Sequence, residues 1–132
     1  MILVDSSVWI DFFRNPPGPG GHELRRLIAE SEPLALTGVI ITEVLQGLGG
    51  DVARIERHLR LWDLLEPRGF ETFRHAAALV RLARSRGVTL TTVDALIAAL
   101  ALEYQAALFT LDGDFRHLRA FTGLKLHAIG AG

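Results

Sequence analysis

Short apolar segments alternate with amphipathic ones along this chain, and no other sequence feature constrains its fold as strongly. Residues 2–4, 33–36 and 107–111 lack the polar alternation of a strand with one face in water. Each is followed by a segment whose apolar residues recur with helical spacing. This order predicts an α/β fold, in which helices cover both faces of a parallel sheet and the crossovers are right-handed.

The remaining elements follow from periodicity and capping residues. Shorter strands are expected at 64–67 and 124–129. Helices are expected at 8–14, 22–30, 39–48, after the cap Asp51, at 70–86, from 91 or 92 to 105, and within 112–119. In the helix at 70–86 the spacing predicts that the core-facing residues are Phe73, Ala77, Val80 and Ala83. With 132 residues, no repeat and no linker, the chain is expected to form one domain over residues 1–132.

Composition excludes several kinds of site. The chain has no cysteine, which rules out a disulfide scaffold, a cysteine-ligated zinc or iron–sulfur centre and a cysteine nucleophile. The longest apolar run, residues 95–102, is 8 residues long, whereas a membrane span needs about 20. The apolar start lacks the basic flank and the cleavage site of a signal peptide. We therefore expect a cytoplasmic protein that does not enter a membrane.

Five acidic residues stand where a charged side chain is unexpected. Asp5 follows the apolar strand at 2–4, Glu43 lies within the apolar segment 39–45, and Asp94 opens the apolar run 95–102. Asp112 follows the segment 108–111, and Asp114 is two positions further on. No Lys or Arg lies within three residues of the first three acids. Because a buried carboxylate has to be paired, hydrogen-bonded, protonated or metal-bound, these side chains need partners from elsewhere in the fold.

The predicted topology brings these acids to one edge of the sheet. Asp5 and Asp112 lie at the carboxyl ends of strands, whereas Glu43 and Asp94 lie near the starts of helices. In open α/β sheets, those ends share the edge where sites form. Converging carboxylates are a hard, oxygen-only ligand set that suits Mg²⁺ or Mn²⁺.

Most of these acids also have a purely structural interpretation. Asp5 would serve as the cap of the first helix, and Asp94 has capping-box spacing with Thr91. Asp112 begins a common Asp-Gly turn, and Asp114 is an ordinary helix starter. Glu43 has no comparable structural role. A shared metal site accounts for all of these acids at once.

The segments around these acids resemble the motifs of PIN-domain ribonucleases, in the family's order and over nearly the whole chain. Residues 4–11 (VDSSVWID) resemble the first motif, 42–47 (TEVLQG) the second, 94–99 (DALIAA) the third and 110–115 (TLDGDF) the fourth. A compact chain of this kind is similar to the VapC toxins of toxin–antitoxin pairs. The resemblance implies a three-layer α/β/α fold with a central parallel sheet of order 3-2-1-4-5. It also implies Mg²⁺- or Mn²⁺-dependent cleavage of RNA to 5′-phosphate products, a homodimer and a VapB-type antitoxin partner.

The resemblance also implies roles for individual residues. The catalytic, metal-binding quartet corresponds to Asp5, Glu43, Asp94 and Asp112. We expect its first and third acids to hold the main ion, and the other two to orient a water or hold a second ion. Asp114 matches an additional metal-binding acid. Ser7 and Thr110 match hydroxyl residues that orient the metal-binding carboxylates without binding the metal themselves.

The charge balance fits an RNA-binding surface around such a site. The net charge is −1, from 14 basic and 15 acidic residues. Without the five proposed site acids, ten acidic residues remain against the 14 basic ones, so the rest of the chain is mildly basic. Candidate phosphate contacts are Arg14, after the first helix, and Arg116 and Arg119, after the fourth motif; solvated arginine is the alternative for each.

Other classes of function have less support. The G-x-G-x-x-G-like segment 18–23 ends in Glu23, which argues against dinucleotide binding. A phosphate-receiver domain needs a buried lysine, and the only lysine, Lys125, lies just before the apolar residues of the last strand. The five histidines lack zinc spacing and are expected at the surface.

Two alternatives within the PIN family remain open: a nuclease of housekeeping RNA processing and a non-catalytic PIN module. The large apolar residues around Trp9 and Trp62 form either core or a groove for an antitoxin helix.

Overall fold

The computed structural model describes residues 1–129 and contains a five-stranded parallel sheet. The strands are β1 (Ile2–Val4), β2 (Leu34–Thr37), β3 (Asp63–Leu65), β4 (Ala107–Phe109) and β5 (Lys125–Leu126). Their spatial order is β3-β2-β1-β4-β5, and all neighbouring pairs are parallel. In the centre, Leu3 lies opposite Ala35 on one side and Leu108 on the other. The predicted α/β class and the strand order are confirmed.

Seven helices in the described part of the chain flank the sheet: α1 (Ser6–Phe13), α2 (Pro19–Ala29), α3 (Gly38–Gly47), α4 (Val52–Leu59), α5 (Phe70–Ser85), α6 (Thr92–Glu103) and α7 (Phe115–Arg119). Apolar side chains between sheet and helices form one core, in which Trp9, Phe109 and Phe115 are the largest fully buried residues. None of the helices within residues 1–129 has the length and hydropathy needed to cross a bilayer.

Several element boundaries differ from the predicted ones. Helix α1 begins at Ser6 rather than at residue 8, and α2 begins at Pro19 rather than at residue 22. Proline fits the first position of a helix because it has no N–H to leave unpaired. The carboxylate of Asp11 accepts hydrogen bonds from Gly18 N at 3.1 Å and Gly21 N at 2.7 Å, which satisfies amides at the start of α2. At the sheet's edge, β5 is limited to Lys125–Leu126 instead of extending over 124–129.

The core-facing side of α5 lies one position away from the predicted side. The prediction was wrong for Phe73, which is 52% exposed, and for Ala77, which is also exposed, whereas Ala83 is buried as expected and Val80 is half-buried. The reason is a buried hydrogen bond. Thr72, at the neighbouring position, is fully buried and donates a hydrogen bond of 2.8 Å to Glu103 on α6. The buried residues of α5 are therefore Thr72, Ala76, Leu79 and Ala83.

Two acids outside the predicted metal site are buried, and two of the histidines expected at the surface are half-buried. Asp11 and Glu23 are 8% and 6% exposed, respectively. Glu23 is bound by Arg26 and, at 2.6 Å, by Nε2 of His127, whose side chain is only 18% exposed. His58 is half-buried among aromatic rings. The surface expectation is thus wrong for the two histidines, because the partners of His127 and His58 lie in distant parts of the chain.

Candidate metal centre

Asp5 lies at the carboxyl end of β1, and two hydroxyl groups hold its carboxylate. Its Oδ2 accepts hydrogen bonds from Ser7 Oγ at 3.1 Å and from Thr110 Oγ1 at 2.8 Å. Although Asp5 occupies the N-cap position of α1, its side chain makes no capping hydrogen bond. Its carboxylate is therefore directed by the hydroxyl pair and not by the helix, which removes the capping interpretation.

The same two hydroxyl groups connect the ends of β1 and β4. Ser7 Oγ accepts a hydrogen bond from Leu111 N at 3.0 Å, and Thr110 Oγ1 accepts one from Asp112 N at 3.0 Å. Each hydroxyl thus donates to Asp5 and accepts from the loop that carries Asp112. Two of these four hydrogen bonds, from Thr110 Oγ1 to Asp5 and from Leu111 N to Ser7, fix the first and fourth motifs relative to each other.

Glu43 reaches the same region from the middle of α3. It is half-buried, and its Oε1 accepts a hydrogen bond of 3.1 Å from Ser6 Oγ. Ser6 was not predicted as a partner of this acid. Its position directly after Asp5 was the available signal, because a residue at the start of α1 lies at the same edge of the sheet.

Asp94 lies in the first turn of α6, where Thr91 serves as the N-cap through a hydrogen bond of 3.1 Å to Asp94 N. Burial, and then the negative charges of Asp112, Asp5 and Glu43, together raise the pKa of the Asp94 carboxyl to about 6, against an opposing hydrogen bond with Thr91. Like charges act on a pKa only at short range. The other three acids of the quartet are therefore close enough for their charges to act on Asp94.

The tightest group of carboxylates consists of Asp94, Asp112 and Asp114, each of which offers an oxygen within 4.8 Å of the others. Asp112 Oδ1 accepts a hydrogen bond from Asp114 N at 3.0 Å, which fixes the loop between them. Asp5 and Glu43 are not part of that group, although their charges act on Asp94. The structure thus brings all five predicted acids to one edge of the sheet.

In the described part of the chain, these charges are not compensated by basic side chains. Within residues 1–129, none of the five acids has a Lys, Arg or His nitrogen within 4.0 Å. Close carboxylates without a cation repel each other, and oxygen-only sites of this kind favour hard divalent cations. The residues present therefore fit a divalent metal ion.

The predicted phosphate contacts differ in their surroundings. Arg14 is 65% exposed and lies 3.9 Å from Asp11 at the end of α1. Arg116 and Arg119 lie on α7 and, with Asp112, line a pocket beside the acids. Neither of these two has a carboxylate within 4.0 Å in the described part of the chain.

The chain is similar to known proteins over nearly its whole length. The model of the family described as "PIN domain" matches residues 2–120. The chain belongs to the PIN domain family. Ribonuclease VapC11 of Mycobacterium tuberculosis is 34% identical over 129 residues, which cover 95% of this chain and 96% of that protein. The chain is therefore a member of the VapC ribonucleases within the PIN family.

Solved structures share the fold of this PIN domain at low sequence identity. The crystal structure of FitAcB from Neisseria gonorrhoeae has a TM-score of 0.73 at 21% identity and covers 97% of both chains. A toxin–antitoxin complex from Klebsiella pneumoniae has a TM-score of 0.70 at 21% identity, with 87% of this chain and 90% of that chain covered. At this identity the likeness supports the arrangement of strands and helices.

Proposed function

We propose that this PIN domain is a divalent-metal-dependent endoribonuclease and that it acts in the cytoplasm as the toxin of a toxin–antitoxin pair. The observation that carries the proposal is the convergence of five carboxylates, without a basic partner among residues 1–129, at the edge of the sheet where α/β proteins form their sites. The 34% identity to a VapC ribonuclease supports RNA as the substrate.

Mg²⁺ is the proposed cofactor, and Mn²⁺ is the alternative. Asp5 and Asp94 would hold the main ion, while Glu43 and Asp112 would orient a water or hold a second ion, with Asp114 as a further ligand. When bound, such ions lower the pKa of a coordinated water and neutralise charge on the phosphate and the leaving oxygen.

The chain's own side chains prepare this site before any substrate arrives. Ser7 and Thr110 fix the orientation of Asp5, and Ser6 fixes that of Glu43, so little rotational freedom is lost on binding. Outside the acid cluster, Arg14 and Arg116 are the proposed contacts to RNA phosphates.

The proposed partner is a VapB-type antitoxin, and its proposed binding site is an apolar groove of about 530 Å³ between α3, α4 and β3. Ile41, Leu45 and Leu59 line the groove, as do Trp62 and Leu64, which is 48% exposed. An amphipathic helix of the antitoxin fits such a groove by placing its apolar face against these side chains. Toxin–antitoxin complexes among the structures of the same fold support this choice of partner.

A homodimer is proposed to form through the outer side of α5 and α6. Phe70 and Phe73 are 78% and 52% exposed there, which is unusual for such large apolar groups unless a partner covers them. A groove of about 390 Å³ beside Phe73 contains Thr92, two positions before Asp94, so a second copy would sit next to the acid cluster. Sedimentation velocity should show a dimer for the wild type and a monomer for Phe73→Glu.

The nuclease proposal is tested with Asp5→Asn in an assay that follows cleavage of a labelled RNA oligonucleotide in Mg²⁺. We expect the rate to fall by about 100-fold or more, because a neutral amide binds the ion more weakly and cannot balance its charge. Asp63→Asn is the matched control, since Asp63 is exposed on the edge strand β3. Cleavage by Asp5→Asn at the wild-type rate, or cleavage by the wild type in excess EDTA, would contradict the proposal.

A further inference from the structure

A pocket of about 360 Å³ adjoins the acid cluster. Its walls come from the end of β4, the loop at 110–113, α7 and the segment that follows β5. Asp112 belongs both to the acid cluster and to the pocket wall, and Thr110, which donates a hydrogen bond to Asp5, also lines the pocket. A molecule that occupies the pocket is therefore in contact with the loop that shapes the proposed catalytic centre.

The charge of this pocket is opposite to that of the acid cluster. Arg116 and Arg119, three positions apart on α7, line it, and Asp112 is the only acid in its wall within residues 1–129. Neither guanidinium is engaged by a carboxylate in that part of the chain. A free guanidinium presents parallel N–H donors that match phosphate oxygens. The pocket therefore suits an anion, and a phosphate in particular.

A buried polar network holds one wall of the pocket in place. His127, which lines the pocket, contacts Glu23 Oε2 through Nε2 at 2.6 Å and packs against Phe109 at a ring distance of 5.0 Å. Hydrogen bonds from Arg26, and then from His127, lower the pKa of Glu23 to about 2 against the opposing effect of burial. Glu23 is thus an acceptor, and Nε2 of His127 carries the hydrogen. This wall is fixed before a ligand binds, which reduces the entropy lost on binding.

The pocket also offers apolar surface next to its charged groups. Leu111 and Ile129 line it and are 44% and 43% exposed. Sites for organic ligands combine such apolar surface with a few well-placed polar groups. A lone inorganic ion would leave this surface in water, whereas a nucleotide would cover it with its sugar or base.

We propose that this pocket is a nucleotide subsite for the RNA, adjacent to the phosphate that is cut. Arg116 and Arg119 bind a phosphate other than the scissile one, and Leu111 and Ile129 pack against the sugar or base attached to it. The choice of RNA as the ligand rests on the proposed function, whereas the position and the chemistry of the subsite rest on the pocket itself.

The test measures RNA binding without cleavage. A labelled single-stranded RNA of ten nucleotides is titrated with the protein in EDTA, and fluorescence anisotropy gives the affinity between 0.05 and 0.3 M salt. The logarithm of the binding constant falls linearly with the logarithm of the salt concentration. For single strands, each lost phosphate contact makes this slope shallower by about 0.7, which corresponds to about a fivefold loss of affinity at 0.1 M salt. We expect this change for Arg116→Gln and for Arg119→Gln, and about twice the change in slope for the double variant. In Mg²⁺ these variants should raise KM for RNA cleavage more than they lower kcat.

Controls separate a phosphate contact from a general change in charge or folding. Arg57→Gln removes an exposed arginine of α4 that is not part of the pocket and should leave the affinity within twofold. Arg116→Lys with Arg119→Lys keeps the charge and should retain the salt slope. Thermal unfolding of each variant should stay close to the wild type, because both arginines are exposed.

The outcomes distinguish this inference from the proposed function. If the Gln double variant binds RNA with the affinity and the salt dependence of the wild type, the proposed subsite does not exist, even though the protein cleaves RNA. If the double variant loses affinity for the antitoxin and not for RNA, the pocket belongs to the protein partner and the inference is also overturned. If Asp5→Asn cleaves normally while the double variant loses RNA affinity, the proposed metal site fails and the subsite stands.

Discussion

Thr110 Oγ1 donates a hydrogen bond of 2.8 Å to Asp5 Oδ2, which joins two residues that are 105 positions apart in the sequence. The same oxygen accepts a hydrogen bond from Asp112 N at 3.0 Å. One hydroxyl group therefore sets the position of an acid at the end of β1 and of the loop that follows β4. The two acids are held by one small side chain that does not itself need to touch a metal ion.

Thr110→Val is expected to weaken metal binding and RNA cleavage without unfolding the protein. Valine has nearly the same shape but breaks both hydrogen bonds, and loss of such outer partners reduces metal affinity or activity by about 10- to 100-fold. Thr122→Val is the matched control, because Thr122 also donates one hydrogen bond and accepts another, between α7 and β5. Both variants should lose about 1–3 kcal/mol of stability, and only Thr110→Val should lose activity in a cleavage assay with titrated Mg²⁺. Equal activity losses would mean that the effect is structural.

Asp94→Asn is expected to stabilise the metal-free protein at neutral pH. The usual pKa of 3.8 is raised to about 6 by burial and then by nearby acids, Asp112 first. The folded state thus binds this proton more tightly than the unfolded chain, so ionisation of Asp94 lowers stability as the pH rises from about 4 to above 6. Thermal unfolding in EDTA should show an advantage in Tm for the variant at pH 7.5 that shrinks towards pH 4.5. An advantage independent of pH would contradict this account.

Addition of Mg²⁺ should make the wild type more stable than Asp94→Asn at pH 7.5. A ligand that binds only the folded state raises its stability in proportion to the logarithm of its concentration above Kd. The Tm of the wild type should therefore rise with Mg²⁺ at pH 7.5, whereas the Tm of Asp94→Asn should respond little. Asp63→Asn, on the exposed edge strand, should respond as the wild type does.

Glu23→Gln tests the buried network behind the proposed subsite. The pKa of Glu23 is lowered to about 2, chiefly by Arg26, so its stabilising effect is present above the usual value of 4.5 and is lost as the pH falls from there towards 2. At pH 7 the variant should lose about 1–3 kcal/mol, the range for a buried hydrogen-bonded group that loses its best partners. Glu30→Gln is the control, since Glu30 binds the same arginine but is 53% exposed and should change stability by less than about 1 kcal/mol. Urea unfolding at pH 7 and pH 3 measures both variants.

The sheet and the acids could be predicted from sequence because their signals are local. Asp5, Asp94 and Asp112 each interrupt a pattern of apolar residues within a few positions of themselves. Since all parallel strands end at the same edge, the pattern alone brings these acids together. The strand order then agreed with the order that the family resemblance implied.

The buried polar residues could not be predicted, because their partners are remote. Glu23 is bound by His127, which is 104 positions away, in addition to the nearby Arg26, and Thr72 is bound by Glu103 on another helix. Without those partners, the sequence favours placing Phe73, a large apolar residue of α5, in the core. The structure buries Thr72 instead, since both of its polar partners are available there.

Leu64→Lys is expected to weaken antitoxin binding and to leave ribonuclease activity unchanged. Leu64 is 48% exposed and lines the groove between α3, α4 and β3, so a lysine there places a charge where the proposed apolar face of the antitoxin helix packs. Burial of a leucine at an interface contributes about 1.5–3 kcal/mol, so affinity should fall by at least tenfold. Leu61→Lys is the matched control, because Leu61 is 69% exposed, lies three positions away and does not line the groove. Binding is measured by calorimetry with the protein encoded next to this chain, and equal affinity for both variants would place the antitoxin elsewhere on the surface.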